Sequence, residues 1–282
     1  MLRNCFYYFF GIIILFINKI RYGFFGYKKP RDFPVSAMEK AIKYDQSVVD
    51  GWLINLKQYE GMDIKDKTVL ELGPGADLGI ALLLLNKGAK KYTALDVNNL
   101  VETVPELFYE KLLESINNKE LISALKDKNK INYICDKNFN ISKINIEDSA
   151  IIFSQAAFEH FSDPEKALEQ LSQTAKSGAI LIAEVDLQTH TKWLREKDPL
   201  NIYRYANNIY NLFHFSGIPN RIRPQEYKKI LEKNNWKNVV IKPKNILSGQ
   251  ELKKISPRLA EPFNQESAQM QTLSFILCAT KK

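Results

Sequence analysis

Short runs rich in β-branched and aromatic residues recur along the chain, and the first five of them alternate with helical segments. They are "TVLEL" (68–72), "KYTALD" (91–96), "INYICD" (131–136), "AIIFSQ" (150–155) and "AILIAEVD" (179–186). Strands spaced by helices are expected to pair in parallel, with the helices covering both faces of the sheet. Burial on both faces explains why "IALLLL" and "AILIA" are nearly unbroken apolar runs, where a half-wet strand would alternate. Two further strands, "NVVIK" (238–242) and "TLSFILCAT" (272–280), follow a helix expected over 224–235. The expected fold is α/β: a doubly wound, seven-stranded, mostly parallel sheet, preceded by an apolar N-terminal helix.

A chain of 282 residues, 45% hydrophobic and 26% charged, can bury a full core, so one main domain with additions is expected. The boundaries are an apolar segment with a basic collar (1–30), a helical cap (31–66) and the main domain (67–282). In the cap, Val48, Val49, Trp52, Leu53 and Leu56 recur at helical spacing and stop near Gly61. Asp163 is placed to cap a helix with Pro164 in its first turn, Ala167, Leu168, Leu171 and Ala175 as its buried stripe, and Gly178 at its end. Two insertions, 187–223 and 243–271, interrupt the pattern. Cys5, Cys135 and Cys278 are odd in number, far apart and in apolar contexts, which fits a reducing compartment and gives no disulfide framework.

The run "CFYYFFGIIILFI" (5–17) is apolar on every side. As a helix it would cover about 20 Å at about 1.5 Å per residue, short of a hydrocarbon layer of about 30 Å unless "YGFFGY" extends it. Lys19, Arg21, Lys28, Lys29 and Arg31 follow it, and no small-residue cleavage site does. A membrane anchor with a basic collar, holding the domain at the cytosolic face, and a helix covered by protein are both compatible with this pattern. The formal charge of +8 comes mostly from scattered lysines, so nucleic acid is not the favoured partner.

The loop "VLELGPGADLG" (69–79) follows the first strand, where a doubly wound sheet binds its ligand. Gly73 and Gly75 permit a sharp turn and close approach of a ligand. Glu71 at the strand end and Asp77 at the helix start line the same loop with negative charge. A dinucleotide pyrophosphate needs a bare helix N-terminus, whereas the sulfonium and ammonium of S-adenosylmethionine suit acids. Asp77 also suits a helix cap. Asp96 ends the second strand about 20 residues beyond the glycines, the spacing of an acid that binds ribose hydroxyls.

Together with "YTALDVN", "INYICD", "IIFSQAAFEHFSDPEKAL" and "SGAILIAEVDL", this loop resembles the class I S-adenosylmethionine-dependent methyltransferase family of small-molecule and glycan type. The resemblance covers 67–187, with the last two strands in their expected places and Asp77 standing where a third glycine is usual. It implies S-adenosylmethionine as cofactor. Glu71 would reach its methionine amino end, Gly73 and Gly75 would pass beneath it, Asp96 would hold the ribose, and Val97 would pack on the adenine. Asp136 would meet the adenine amino group, and Gln155 would lie near the transferred methyl.

Methyl transfer to a hydroxyl needs alignment and a base. "FEHFSDP" puts Glu159 and His160 beyond the fourth strand, and "EVDLQTH" puts Asp186 and His190 on the same rim. His160, Asp186 and His190 are the candidate catalytic residues, with His160 either the base or a packing residue and Glu159 its orienting partner or a helix cap. Tyr203, Tyr205, Asn220, Arg221 and Arg223 form a candidate substrate rim for a sugar, phosphate or aromatic acid. They suit lid packing and ion pairing equally. No metal-ligand spacing, P-loop or nucleophilic triad is present, so no metal is expected. The expected activity is methyl transfer to oxygen of a small molecule, sugar or lipid-linked glycan, with RNA methylation and non-catalytic cofactor binding as alternatives.

Overall fold

All seven expected strands form, and they lie in one sheet. The structure is a computed structural model that describes residues 2–27, 29, 31–145 and 149–282. Its strands are β1 (Thr68–Leu72), β2 (Lys91–Asp96), β3 (Ile131–Cys135), β4 (Ser149–Gln155), β5 (Ile180–Asp186), β6 (Trp236–Ile246) and β7 (Thr272–Lys281). Its helices are α1 (Leu2–Phe25), α2 (Val35–Glu60), α3 (Gly79–Asn86), α4 (Glu106–Ser115), α5 (Pro164–Thr174), α6 (Lys192–Lys197), α7 (Asn207–Asn211), α8 (Pro224–Lys233) and α9 (Gly249–Ile255).

The strand order is β3-β2-β1-β4-β5-β7-β6. β1 to β5 are mutually parallel, and β7 runs antiparallel between β5 and β6. The chain winds outward from β1 in one direction and restarts at β4 in the other, leaving a crevice beyond the C-terminal ends of β1 and β4. β6 runs past the expected end at Lys242 because it is an edge strand. Pro243 is tolerated there, next to shifts of register. α5 stops at Thr174, short of Gly178, because Ala175 is already extended; Asp163 caps it as expected through the Lys166 N–H at 3.0 Å.

Residues 31–66, expected as a helical cap, provide a helix integral to the core. Met38, Ala41, Ile42, Val48, Val49, Trp52 and Leu56 form one stripe of α2 at helical spacing, and Trp52 stacks on Phe153 of β4 with ring centroids 4.6 Å apart. Burying a side chain of this size stabilises the fold by about 1.5–3 kcal/mol, so α2 is firmly held on its face of the sheet. α5 and α8 cover the opposite face, where Leu168, Leu171, Tyr227 and Leu231 pack on Leu181 and Leu277.

The two insertions meet in a third apolar cluster beneath α1 that includes Tyr203, Tyr205, Tyr210, Ile218, Leu259 and Phe263. α1 extends through "YGFF" to Phe25, 24 residues in all. Gly11 and Leu15 are its buried residues, and Tyr8 and Ile12 flank them on the same stripe. The Tyr7 carbonyl accepts from Asn201 Nδ2 at 2.9 Å and the Tyr8 carbonyl from the Tyr205 hydroxyl at 2.8 Å. Phe6, Phe9, Ile13, Phe16, Ile17 and Ile20 occupy the other side and are exposed. The expected basic collar is mostly used internally. Lys19 donates to the Leu212 carbonyl, Lys29 to Thr103 Oγ1, and Arg31 to Asp45. Lys28, also part of that expected collar, lies outside the described residues.

Candidate active site

The β1 strand delivers Glu71 fully buried at its end, and the chain then turns through Gly73 and Gly75, both at φ 77°. Only glycine takes this left-handed conformation at little cost. The two differ in what surrounds them. A Cβ on Gly73 would lie 2.5 Å from the Ala157 Cβ, whereas one on Gly75 would meet no protein atom within 4 Å. Gly73 is therefore a packing requirement and Gly75 an open cradle. The Gly75 N–H donates to Asp96 Oδ2 and the Asn98 N–H to Asp96 Oδ1, each at 3.0 Å, so the acid ending β2 ties the loop to its strand.

Glu71 Oε2 accepts from the Tyr92 hydroxyl at 2.5 Å, while its Oε1 is buried without a partner. Burial pushes its carboxyl up from 4.5 to about 8, against the opposing effect of the Tyr92 hydrogen bond. The sign follows. A carboxyl raised in the fold contributes stability that is complete below about 4.5 and lost as pH rises through about 8. Glu71→Gln is expected to flatten the fall in thermal midpoint across that window, recovering on the order of 5 kcal/mol at its upper end. Identical pH profiles for the variant and the parent would show that Glu71 does not titrate in this way.

Asp77, expected as a loop-lining acid or a helix cap, is engaged within the protein at the start of α3. Its Oδ1 accepts from the Gly79 N–H at 2.8 Å, and its Oδ2 lies 3.3 Å from Arg31, which also pairs with the buried Asp45 at 3.0 Å. Burial, followed by the charge of Asp77, holds the Asp45 carboxyl well above its ordinary range. Arg31 thus brings a cation to the glycine loop. Tyr27, in the same segment, would lie 3.6 Å from a Cβ on Gly217, and its hydroxyl is raised by burial and by the charge of Asp96. Pattern-based reading missed Arg31 because its partners are distant in sequence. Val97 follows β2 at the rim, half-buried. Asp136 joins Asp96 through its backbone N–H at 2.9 Å, and its carboxylate is paired with Lys143 at 2.9 Å, which holds it below its ordinary range.

Beyond β4 and β5 a cleft of about 460 Å³ opens on the α2 face, with Gln155, Glu184, Tyr44, Asn55 and Lys244 in its wall. Gln155 and Glu184 are register partners, and Lys244 bonds Glu184 at 2.6 Å. After Gln155 the chain reverses at Ala156, at φ 49°, and presents Glu159 and His160. His190 arrives from the loop after β5, its ring edge-to-face with His160 at a centroid distance of 4.7 Å. His160 Nδ1 donates to the Gly217 carbonyl at 2.5 Å and His190 Nδ1 to the Gln188 carbonyl at 2.9 Å.

Sequence placed His160, Asp186 and His190 on one rim, and the structure brings them together, but burial changes their chemistry. It pushes His160 down to about 4, with help from His190, and also lowers His190. The near-neutral pKa that suited His160 as a base is absent. Asp186 is occupied by Arg195 at 2.7 Å and by Gln188. Glu159 is 1% exposed, and both its oxygens are buried without a hydrogen bond, so it is bonded neither as the orienting partner of His160 nor as the helix cap, the two roles expected of it.

The five residues of the candidate substrate rim are bonded within the protein, as the lid-packing alternative has it. Tyr203 and Tyr205 are fully buried, their hydroxyls donating to the Leu187 and Tyr8 carbonyls. Asn220 donates to the Phe158 and Phe161 carbonyls. Arg221 donates to the carbonyls of Ile202 and Tyr205 and to Asn207, and Arg223 to those of Ala268, Gln269 and Thr272. The backbone carbonyls of two insertions without regular pairing need donors, and these cations supply them. Asn220, Arg221 and Arg223 also border a separate cleft of about 320 Å³.

Known proteins resemble this chain at three levels. A MATH and LRR domain-containing protein of Plasmodium falciparum is 25% identical over 151 residues, 46% of this chain, and the chain spans only 2% of that protein. A Listeria monocytogenes protein described as an S-adenosylmethionine dependent methyltransferase superposes over 83% of this chain and 98% of its own, at 18% identity and a TM-score of 0.47. Phosphoethanolamine N-methyltransferase 2 of Haemonchus contortus, in complex with S-adenosyl-L-methionine, is 13% identical over 85% of this chain and 52% of its own, with a TM-score of 0.47. Geranyl diphosphate C-methyltransferase of Streptomyces coelicolor is 11% identical over 89% of this chain and 86% of its own, with a TM-score of 0.46. The decisive match is to a family model described as a methyltransferase domain, which takes in residues 52–241, from the α2 residue stacked on β4 through the glycine loop, Gln155 and all five parallel strands. On that match the chain belongs to the methyltransferase domain family.

Proposed function

We propose that this chain transfers the methyl group of S-adenosylmethionine to a hydroxyl oxygen of a small molecule or sugar held beside Gln155. The carrying observation is a glycine loop, open over Gly75 and flanked by Glu71 and Asp96, with a cleft beyond the end of the neighbouring strand that Gln155 lines. The residues fit this cofactor. Glu71 Oε1 is an unpartnered buried acceptor suited to the methionine ammonium, and a Cβ-free cradle at Gly75 admits a ligand. Asp96, with one backbone donor on each oxygen, keeps lone pairs for ribose hydroxyls.

When bound, the sulfonium supplies an activated methyl carbon. The protein's work is then alignment. In-line attack by the acceptor oxygen forms the C–O bond as the methyl–sulfur bond breaks, the electron pair returning to sulfur and the hydroxyl proton leaving. Gln155, Tyr44, Asn55 and the Lys244–Glu184 pair offer donors and acceptors to a polyhydroxylated acceptor. Proton removal falls to solvent.

We also propose that α1 rests in the plane of a membrane and brings the domain to a lipid-linked or membrane-derived acceptor. It is the one helix among the described residues long and apolar enough to cross a bilayer, and 11% of its most apolar window is buried. One stripe is docked on the insertions while the opposite stripe is apolar and exposed, which suits an interfacial helix better than a spanning one. RNA as acceptor has less support, since three of the five collar cations are bonded within the protein.

The test is incubation of cell extract, split into lipid, glycan, small-molecule, RNA and protein fractions, with methyl-labelled cofactor. Label in the lipid, glycan or small-molecule fractions supports the reading. Label confined to RNA or protein, or no binding of S-adenosylhomocysteine by calorimetry, refutes it.

A further inference from the structure

The sequence has three histidines, and two of them, His160 and His190, converge on Glu159. One ligand atom from each of these side chains lies within 4.8 Å of the other two. The carboxylate is the unusual member. Glu159 is 1% exposed and neither oxygen has a hydrogen bond, although the backbone N–H groups of Glu159 and Asp186 lie near it. A buried polar group left in this state costs about 1–3 kcal/mol unless something meets it. His190 Nε2 is the nearest candidate, but at 3.9 Å from Oε1 it is beyond hydrogen-bond reach.

The imidazoles are prepared in a specific way. Each Nδ1 faces a backbone carbonyl, Gly217 for His160 and Gln188 for His190, and a carbonyl only accepts. Nδ1 therefore carries the proton in both rings, and in the neutral ring Nε2 holds a lone pair. Metal-ligating histidines are oriented in this manner, with the distal N–H donated to a carbonyl or carboxylate that fixes the tautomer. One nitrogen of each ring, Nε2 in the case of His190, and the carboxylate of Glu159 make a three-ligand set of imidazole and carboxylate type.

We propose that Glu159, His160 and His190 bind a divalent first-row transition cation. Ligands around a tetrahedral zinc stand about 3.3–3.5 Å apart, so side-chain shifts of about 1 Å would close the site. The His190 side chain is 33% exposed, which gives a cation access from solvent and leaves a coordination position toward the rim. That position would take an oxygen ligand, water or an acceptor hydroxyl. The cation would bind between a loop fixed by Gly73 against Ala157 and a loop fixed by Asp186, so the ligands come from two elements and could not be found by spacing. The proposal concerns the cation alone and does not depend on the methyl acceptor.

The experiment is titration of chelator-treated full-length protein with Co²⁺, followed by visible absorption and competition with Zn²⁺. One Co²⁺ per chain with ligand-field bands is expected. Glu159→Gln, which keeps the shape of the side chain, and His190→Ala should each weaken binding by about 100-fold. His214→Ala, at the remaining histidine, should not, and thermal unfolding checks that each variant folds. No binding by the parent, or equal binding by Glu159→Gln, overturns the proposal. S-adenosylhomocysteine calorimetry on the same samples separates the two readings: its binding without Co²⁺ binding defeats the metal site alone, and Co²⁺ binding without it defeats the methyltransferase reading alone.

Discussion

Gly75→Val is expected to abolish S-adenosylhomocysteine binding while leaving the sheet folded. A side chain at Gly75 meets no protein atom within 4 Å, so its added bulk occupies the space where a ligand crosses the loop. The φ of 77° adds a conformational cost of about 1–2 kcal/mol, which the buried sheet can absorb. Loss of at least about 100-fold in affinity, or about 3 kcal/mol, with a nearly unchanged unfolding midpoint is the expected pair of results. Gly73 gives a poorer test, because a Cβ there strikes Ala157 at 2.5 Å and would disturb the turn after β4. If Gly75→Val binds the ligand as the parent does, the cofactor does not pass over this loop.

Gly11→Leu is expected to peel α1 from the domain. A side chain at Gly11 would collide with Asn201 Oδ1 and the Tyr205 hydroxyl, on the same two side chains whose Nδ2 and hydroxyl donate to the Tyr7 and Tyr8 carbonyls. Overpacking and the lost hydrogen bonds together should cost about 3 kcal/mol, read as earlier melting of the insertion cluster with the sheet intact. The opposite stripe answers a different question. Full-length protein should co-sediment with anionic-lipid vesicles at high salt, because apolar burial outweighs the few free cations. Phe9→Glu with Phe16→Glu, both on the exposed stripe, should weaken this by at least about tenfold without shifting the melting midpoint. Vesicle binding unchanged by the double substitution, or absent in the parent, would remove α1 as a membrane contact.

Deleting α1 is consequently not the clean separation of anchor from domain that its apolar sequence suggests. The helix is apolar all round because it has two apolar environments to satisfy, the insertions on one stripe and the outside on the other. Sequence registers total hydrophobicity and cannot divide it between them. The same limit applies to the collar: Lys19, Lys29 and Arg31 look alike as charges, and only their positions show that each is already bonded to the protein.

The strands and the glycine turns were legible because they rest on local signals. Period-2 and unbroken apolar runs mark buried strands, two glycines mark the left-handed turns at Gly73 and Gly75, and an acid at the end of β2 marks Asp96. Each of these is decided by residues within a few positions of one another. The chemistry of the rim was not local. Whether a tyrosine or arginine faces a ligand or a backbone carbonyl depends on which unpaired carbonyls the fold brings beside it, which is why Tyr203, Tyr205, Asn220, Arg221 and Arg223 became framework. Whether a histidine is a base depends on its solvation. His160 lost its near-neutral pKa to burial under Gly217, and Glu159 gained its isolation from the same enclosure. Sequence determined the sheet and the loop because propensity and pattern act at short range, and tertiary structure alone decided which polar groups remained free, because desolvation and hydrogen-bond supply are set by what folds on top of them.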